Sequence, residues 1–296
     1  MKLANHRGRA VLVVGDEGDV GAVDVAQASD GQFGPDVHAV LRGWDRFRAW
    51  AESAELPAPA GAFEVSELAA VVPAPGQVLA VGLNYRLHAE EAGLPIPEVP
   101  LVFTKFPSSV TGPVGELELP TDQVDWEVEV AVVIGREARR IAKDEGWDHV
   151  AGVTAAQDFS ARDVQLAGGA KPQFSLGKSF AGFTPLGPYL VTPDEYEDRD
   201  AIELECRING ELLQKSSTAD LIFSVPQLVS YLSHIVTLRP GDVILTGTPS
   251  GVGLGFEPPL FLVDGDEVVT SVARAGQMRH VARAPEQAFD ATAILG

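Results

Sequence analysis

The stretch Val124-Asp-Trp-Glu-Val-Glu-Val-Ala-Val-Val-Ile-Gly135 sets two carboxylates, Glu127 and Glu129, inside a run that otherwise reads as a buried β-strand. Side chains on a strand alternate between faces, so both glutamates share one face, with Cα atoms roughly 6 to 7 Å apart. Two ionised acids side by side in an apolar strand repel each other and lose hydration, so a positive charge has to compensate them. A divalent cation is the simplest candidate.

A third acid follows downstream. Val150-Ala-Gly-Val-Thr-Ala-Ala-Gln157 reads as another short strand that runs directly into the polar Asp158-Phe-Ser-Ala-Arg-Asp163-Val-Gln165. Three oxygen donors with no Cys or His cluster favour a hard ion, Mg²⁺ first and Mn²⁺ or Ca²⁺ next, over zinc. The competing interpretation is a solvated sheet face with Asp158 capping a turn.

Working outward, strands dominate: near 78–83, 101–105, 150–157, 186–191, 202–208, 242–246 and 267–273, separated by Gly and Pro turns. One clear later helix spans 224–235, with Pro226 tolerated in its first turn. Helices are too few to alternate with strands, so the class is α+β and β-rich, a mixed roll or barrel rather than a doubly wound sheet. Before this lie a hairpin-like pattern over 8–26 and a helix-like piece over 37–55, then the Pro-Ala connectors Leu56-Pro-Ala-Pro-Ala-Gly and Val72-Pro-Ala-Pro-Gly. The division expected is a small N-terminal α+β domain, 1–72, and a catalytic domain, 73–296.

The chain has 296 residues and a formal charge of −20, which repels nucleic acid and anionic membrane surfaces. An anionic metabolite would then need local positive charge, and Lys105, Arg162 and Lys178 are the cations to watch. The single cysteine, Cys206, excludes an intramolecular disulfide and sits in a strand-like segment. No apolar stretch approaches a membrane span and the N-terminus does not read as a signal peptide, so the expected address is the cytoplasm.

Asn84-Tyr-Arg-Leu-His88-Ala-Glu-Glu91 spaces a histidine and a glutamate three apart, so on a helical turn the carboxylate can orient the imidazole as a base; the alternative is a stray surface histidine. The flanking Gly93 and the proline-rich 94–100 loop suit a mobile lid. Lys178, after Gly177, could neutralise a carboxylate or polarise a carbonyl. The Gly-rich Thr246-Gly-Thr248-Pro-Ser-Gly-Val-Gly253 follows a strand and could hold a carboxylate through its N–H groups and Thr248, yet lacks the ending of a phosphate loop. Ser108, Ser109, Ser216 and Ser217 sit in no nucleophile elbow. His6, His38, His149, His234 and His280 are scattered without ligand spacing.

In order, Gly82-Leu-Asn-Tyr-x-x-His88-x-x-Glu91, Glu127-x-Glu129, Asp158-Phe-Ser-Ala-Arg-Asp-Val-Gln165, Gly177-Lys178-Ser-Phe and Thr246-Gly-Thr248-Pro resemble the fumarylacetoacetate hydrolase family from about Val78 to Val272. The resemblance implies a mixed β-roll catalytic domain, often a homodimer, with Mg²⁺ or Mn²⁺ held at Glu127, Glu129 and Asp158. It also implies a water-activating dyad of His88 and Glu91, with Lys178 catalytic as well as substrate-contacting. Gln165, Thr248 and Arg162 complete the substrate contacts. Gly182 stands where longer members carry Thr, which points away from fumarylacetoacetate and toward the acylpyruvate type. The activity expected is hydrolysis of a C–C bond in a 2,4-dioxo acid. Its alternatives are an oxaloacetate-type decarboxylase or an isomerase of an unsaturated dioxo acid on the same site, and then a binding protein that lost catalysis.

Overall fold

The computed structural model describes residues 1–15, 20–59, 61–169 and 172–295. Its centre is the strand Val128–Ile134, every residue of which is buried. Val128, Val130, Val132 and Ile134 pack into one apolar cluster, while Ala131 and Val133 face a second. A strand covered on both faces reads as a continuous β-branched run, and each such side chain buried contributes roughly 1.5–3 kcal/mol.

This strand pairs antiparallel with Val150–Gln157 on one side and Val243–Leu245 on the other. Val243–Leu245 runs parallel to Val78–Gly82, which pairs with Leu101–Thr104. Beyond Val150–Gln157 come Thr184–Val191 and then the N-terminal strands Lys2–His6, Arg9–Val14 and Gly21–Asp24, so the first residues extend the same sheet through the register Leu3 to Leu190. A second, five-stranded sheet orders Glu211–Ser217, Glu203–Ile208, Glu267–Val272, Gly276–Arg283 and Val114–Glu118. The architecture is the β-rich α+β fold expected.

Local differences have physical causes. The helix over 37–55 is two, Val37–Arg42 and Trp44–Ser53, broken at Gly43. Its second part turns Trp44 and Phe47 inward, and the Phe47 ring packs against Trp44, Trp50 and Phe33. The later helix is Val225–Ser233, closed at its start by Ser224 and Gln227 in a capping box. The carboxylate strand is also interrupted: Val124–Asp125 pairs with Ser160–Ala161 in a separate two-stranded ladder, and regular pairing resumes only at Val128. Glu127 therefore sits in the gap between two strands, where its N–H bonds the Gln157 amide oxygen at 2.8 Å and its carbonyl accepts from Asp158 at 2.9 Å.

Candidate metal and catalytic centre

The gap brings the three acids together. Each of Glu127, Glu129 and Asp158 offers an oxygen within 4.8 Å of the others, and all three are buried. The segment after Val243–Leu245 holds Glu129 in place. Thr246 Oγ1 donates to the Val130 carbonyl, Thr248 Oγ1 to that of Val128, and the Gly247 N–H donates to Glu129 Oε2 at 2.6 Å. Asn84 ties this segment to the other side of the site by donating to the Thr246 carbonyl at 2.7 Å.

Two ammonium groups lie against the acids. Lys178 Nζ bonds Glu127 Oε2 at 2.9 Å, Asp158 Oδ2 at 2.7 Å and Ser160 Oγ at 2.8 Å. Its position follows from Gly177, where a Cβ would fall 2.5 Å from the Gln165 backbone nitrogen; only glycine lets Phe174–Gly177 press this closely on Arg162–Leu166. Lys178 is 2% exposed. Lys105 Nζ takes the other oxygen of Asp158 at 2.5 Å and the Phe183 carbonyl at 2.8 Å. In the sequence Lys105 stands out only as a cation that could meet an anionic metabolite. Its place opposite Asp158 depends on pairing that no local motif reveals.

Burial disfavours the charge on Glu127, yet Lys178 and Arg162 overcome that and hold its carboxyl well below the usual range. Glu129 goes the other way: burial, then the Asp158 and Glu127 carboxylates, drive it well above that range against the Gly247 N–H and Lys178. Burial lowers Lys105 despite Asp158, whereas at Lys178 the Asp158 and Glu127 charges outweigh burial and raise it. Glu129 thus faces two carboxylates with too little positive charge of its own. A hard divalent cation fits this set on two grounds, the all-oxygen donors and this charge deficit.

At the rim, the short helix Arg86–Glu91 carries the expected pair: His88 Nδ1 lies 3.0 Å from Glu91 Oε2. The other oxygen of Glu91 accepts the Gly251 N–H at 2.9 Å. The side chains are 16% and 24% exposed. One segment joins the rim to the buried acids, since the Gly247 N–H holds Glu129 and the Gly251 N–H holds Glu91.

The expected substrate contacts are already engaged. Arg162 directs Nε and NH2 to Asp125 Oδ2 at 2.8 and 2.6 Å, and NH1 to Glu127 Oε1 at 2.7 Å and Gln165 Oε1 at 2.9 Å. It is buried and braces the site rather than presenting a free cation. Thr248 Oγ1, besides donating to Val128, accepts from Gln214 Nε2 at 2.8 Å. Gln165 gives its oxygen to Arg162, and its amide nitrogen makes no hydrogen bond among the described residues.

Residues 77–282 match the family described as fumarylacetoacetate (FAA) hydrolase C-terminal, and the chain belongs to that family. Among particular relatives, oxaloacetate tautomerase FAHD2B, mitochondrial, of Bos taurus is 46% identical over 215 residues, 72% of this chain and 68% of the relative. A crystal structure of a protein from Mycobacterium smegmatis assigned as HpcE superposes with a TM-score of 0.91 at 52% identity, covering 97% of this chain and all of the other. A maleylpyruvate hydrolase from Sphingobium sp. SYK-6, in complex with manganese(II) and pyruvate, superposes at 0.75 with 28% identity, over 97% and 100% of the two chains. The chain is an enzyme of this family, and no helix among the described residues is long and apolar enough to cross a membrane.

Proposed function

We propose that the chain is a divalent-metal-dependent enzyme interconverting the enol and keto forms of a small 2-oxo dicarboxylate of the oxaloacetate class. This moves the main activity from the hydrolysis first expected to its isomerase-type alternative. The observation that carries it is the cluster of three buried carboxylates, with an imidazole oriented by Glu91 on the segment bound to them, in a chain 46% identical over 215 residues to an oxaloacetate tautomerase.

Mg²⁺ or Mn²⁺ at Glu127, Glu129 and Asp158 would supply Lewis-acid stabilisation of an enolate oxygen. Of the chain's own groups, Glu91 orients His88 through Nδ1, which leaves Nε2 to take a proton from the substrate carbon and to return one to it. In the enol-to-keto direction the enol oxygen loses a proton and the adjacent carbon gains one, so mass is unchanged. Lys178 places a positive charge beside the site in a water-poor setting, where it stabilises the negative charge that develops on the substrate at little reorganisation cost. Gln165, with its amide nitrogen uncommitted, is the donor best placed to meet a substrate oxygen. Thr248 and Arg162 support the site through the backbone and Glu127.

Hydrolysis of an acylpyruvate is the second reading. It is favoured by the same dyad, which can deprotonate water, and by the likeness to a maleylpyruvate hydrolase holding manganese and pyruvate. The proposal places the enzyme in the cytoplasm as a homodimer; the bovine relative is named mitochondrial. The test follows enol absorbance of oxaloacetate and of acylpyruvates with Mn²⁺ or Mg²⁺, with mass analysis of products. Loss of oxaloacetate enol absorbance without change of mass is expected. Release of carbon dioxide or of two carbon acids at comparable rates, or full activity after metal stripping, overturns it.

A further inference from the structure

We infer that Asp125 is a positioning residue that couples seating of the His88–Glu91 helix to the geometry of Glu127. The inference rests on the reading of Glu127 as a metal-holding carboxylate. Asp125 is wholly buried, at the end of the short ladder before Glu127. Its Oδ1 accepts the N–H groups of Trp126 at 2.7 Å and Gly253 at 2.6 Å, and its Oδ2 that of Leu254 at 3.0 Å. The same Oδ2 receives Arg162 through Nε and NH2, and Arg162 NH1 reaches Glu127 Oε1 at 2.7 Å.

One carboxylate therefore grips both the 251–255 turn and the guanidinium that holds Glu127. That turn is also the seat of the rim. Gly251 N–H bonds Glu91, and a Cβ on Gly255 would lie 3.1 Å from the Glu91 carboxyl carbon. Only Val252 separates the residue that holds Glu91 from the residue held by Asp125. The turn packs closely on the neighbouring chain, since a Cβ on Gly253 would fall 2.1 Å from the Leu260 carbonyl.

A shift of the turn changes the oxygens presented to Arg162, and Arg162 then divides its donors differently between Asp125 and Glu127. By reciprocity, a cation that needs Glu127 in one orientation favours the seated turn and hence the seated helix. Spatial continuity alone does not establish coupling, so both ends have to be measured.

The test reads Mn²⁺ affinity by electron paramagnetic resonance and amide exchange across 86–92 with and without saturating Mn²⁺. In the wild type, Mn²⁺ should slow that exchange. Asp125→Asn, which leaves Oδ1 but replaces the Oδ2 acceptor with a donor facing Arg162, should weaken Mn²⁺ binding by about 10- to 100-fold. It should also abolish the slowing even at saturation. Glu91→Ala, at the partly exposed rim, should weaken Mn²⁺ about fivefold by the reciprocal effect, while Glu91→Gln, which keeps the acceptor for Gly251, should stay nearer wild type. Wild-type Mn²⁺ affinity in Glu91→Ala, or Mn²⁺-dependent slowing that survives in Asp125→Asn, overturns the coupling. A wild-type enzyme that binds no Mn²⁺ overturns the metal reading itself, and this inference with it.

Discussion

The floor and the rim of the site are built by opposite means. On the floor, Glu127, Glu129, Asp158, Lys105 and Lys178 are almost wholly buried, and each is anchored by hydrogen bonds or ion pairs to other elements. At the rim, His88 and Glu91 ride a helix of six residues, held to the rest through side-chain bonds such as Glu91 to Gly251 and Arg86 to the Leu221 carbonyl. Beyond it, Leu94, Ile96 and Val99 are each more than half exposed. The contrast teaches where each property resides. A preorganised floor suits the stabilisation of charge, since it need not rearrange during reaction, whereas a lightly tethered rim suits substrate entry and proton transfer.

The largest effect should come from Asp158→Ala, which attacks the floor. Both ammonium groups lose a carboxylate partner, and Lys105 keeps only the Phe183 carbonyl. Leaving buried charge unpaired costs about 3–5 kcal/mol, so denaturant unfolding of the metal-free protein should show a loss of that order. Metal-dependent turnover should vanish with it. If stability and Mn²⁺ affinity both stay within a factor of two, the floor is not the rigid charge lattice described.

His88→Ala should be smaller and different in kind. It removes the proton-transfer group and leaves every floor contact and the Glu91–Gly251 bond in place. kcat should fall by about 10²- to 10⁴-fold while Mn²⁺ affinity holds. A drop in affinity as large as that of Asp158→Ala would erase the distinction between the two regions.

The same division explains what could be read from sequence. The acids, the dyad and Lys178 were visible because each sits at a local transition: a charge inside a β-branched run, a polar stretch where a strand stops, a pair at helical spacing, a lysine after glycine. Asp125 was passed over, since an acid at the start of a strand looks like a turn residue. Its role arises only when the 251–255 turn, distant in sequence, folds onto it. Arg162 read as a substrate cation because the sequence cannot show that Asp125 and Glu127 already occupy it. In the fold, Glu211–Ser217 escaped notice because an edge strand with mixed polarity lacks alternation. Gly276–Arg283 is also absent from the expected strands, although Met278, His280 and Ala282 turn inward at alternate positions, because Gln277, Arg279 and Arg283 make the segment read as a polar tail.

The smallest expected effect sets a second histidine against His88. His280 lies behind the floor, 1% exposed, with its ring edge-on to Phe159 and Nε2 on the Gly112 carbonyl at 3.0 Å. Nε2 must carry the proton to make that bond, and Nδ1 is then buried with no partner among the described residues. Burial lowers its pKa to about 4 in spite of the Gly112 bond. Between pH 4 and the ordinary histidine value near 6.5, the unfolded chain binds a proton that the folded chain refuses, so stability rises with pH across that window and falls as the pH drops through it. The change amounts to about 3 kcal/mol over the window, and none of it persists as a slope above pH 7. His280→Leu should be less stable at neutral pH by about 1 kcal/mol for the lost hydrogen bond, yet show a shallower decline between pH 6.5 and 4.5 in urea unfolding. An equal decline in both proteins would mean that His280 accepts a proton in place, and that the wall behind the floor is wetter and looser than the carboxylates in front of it require.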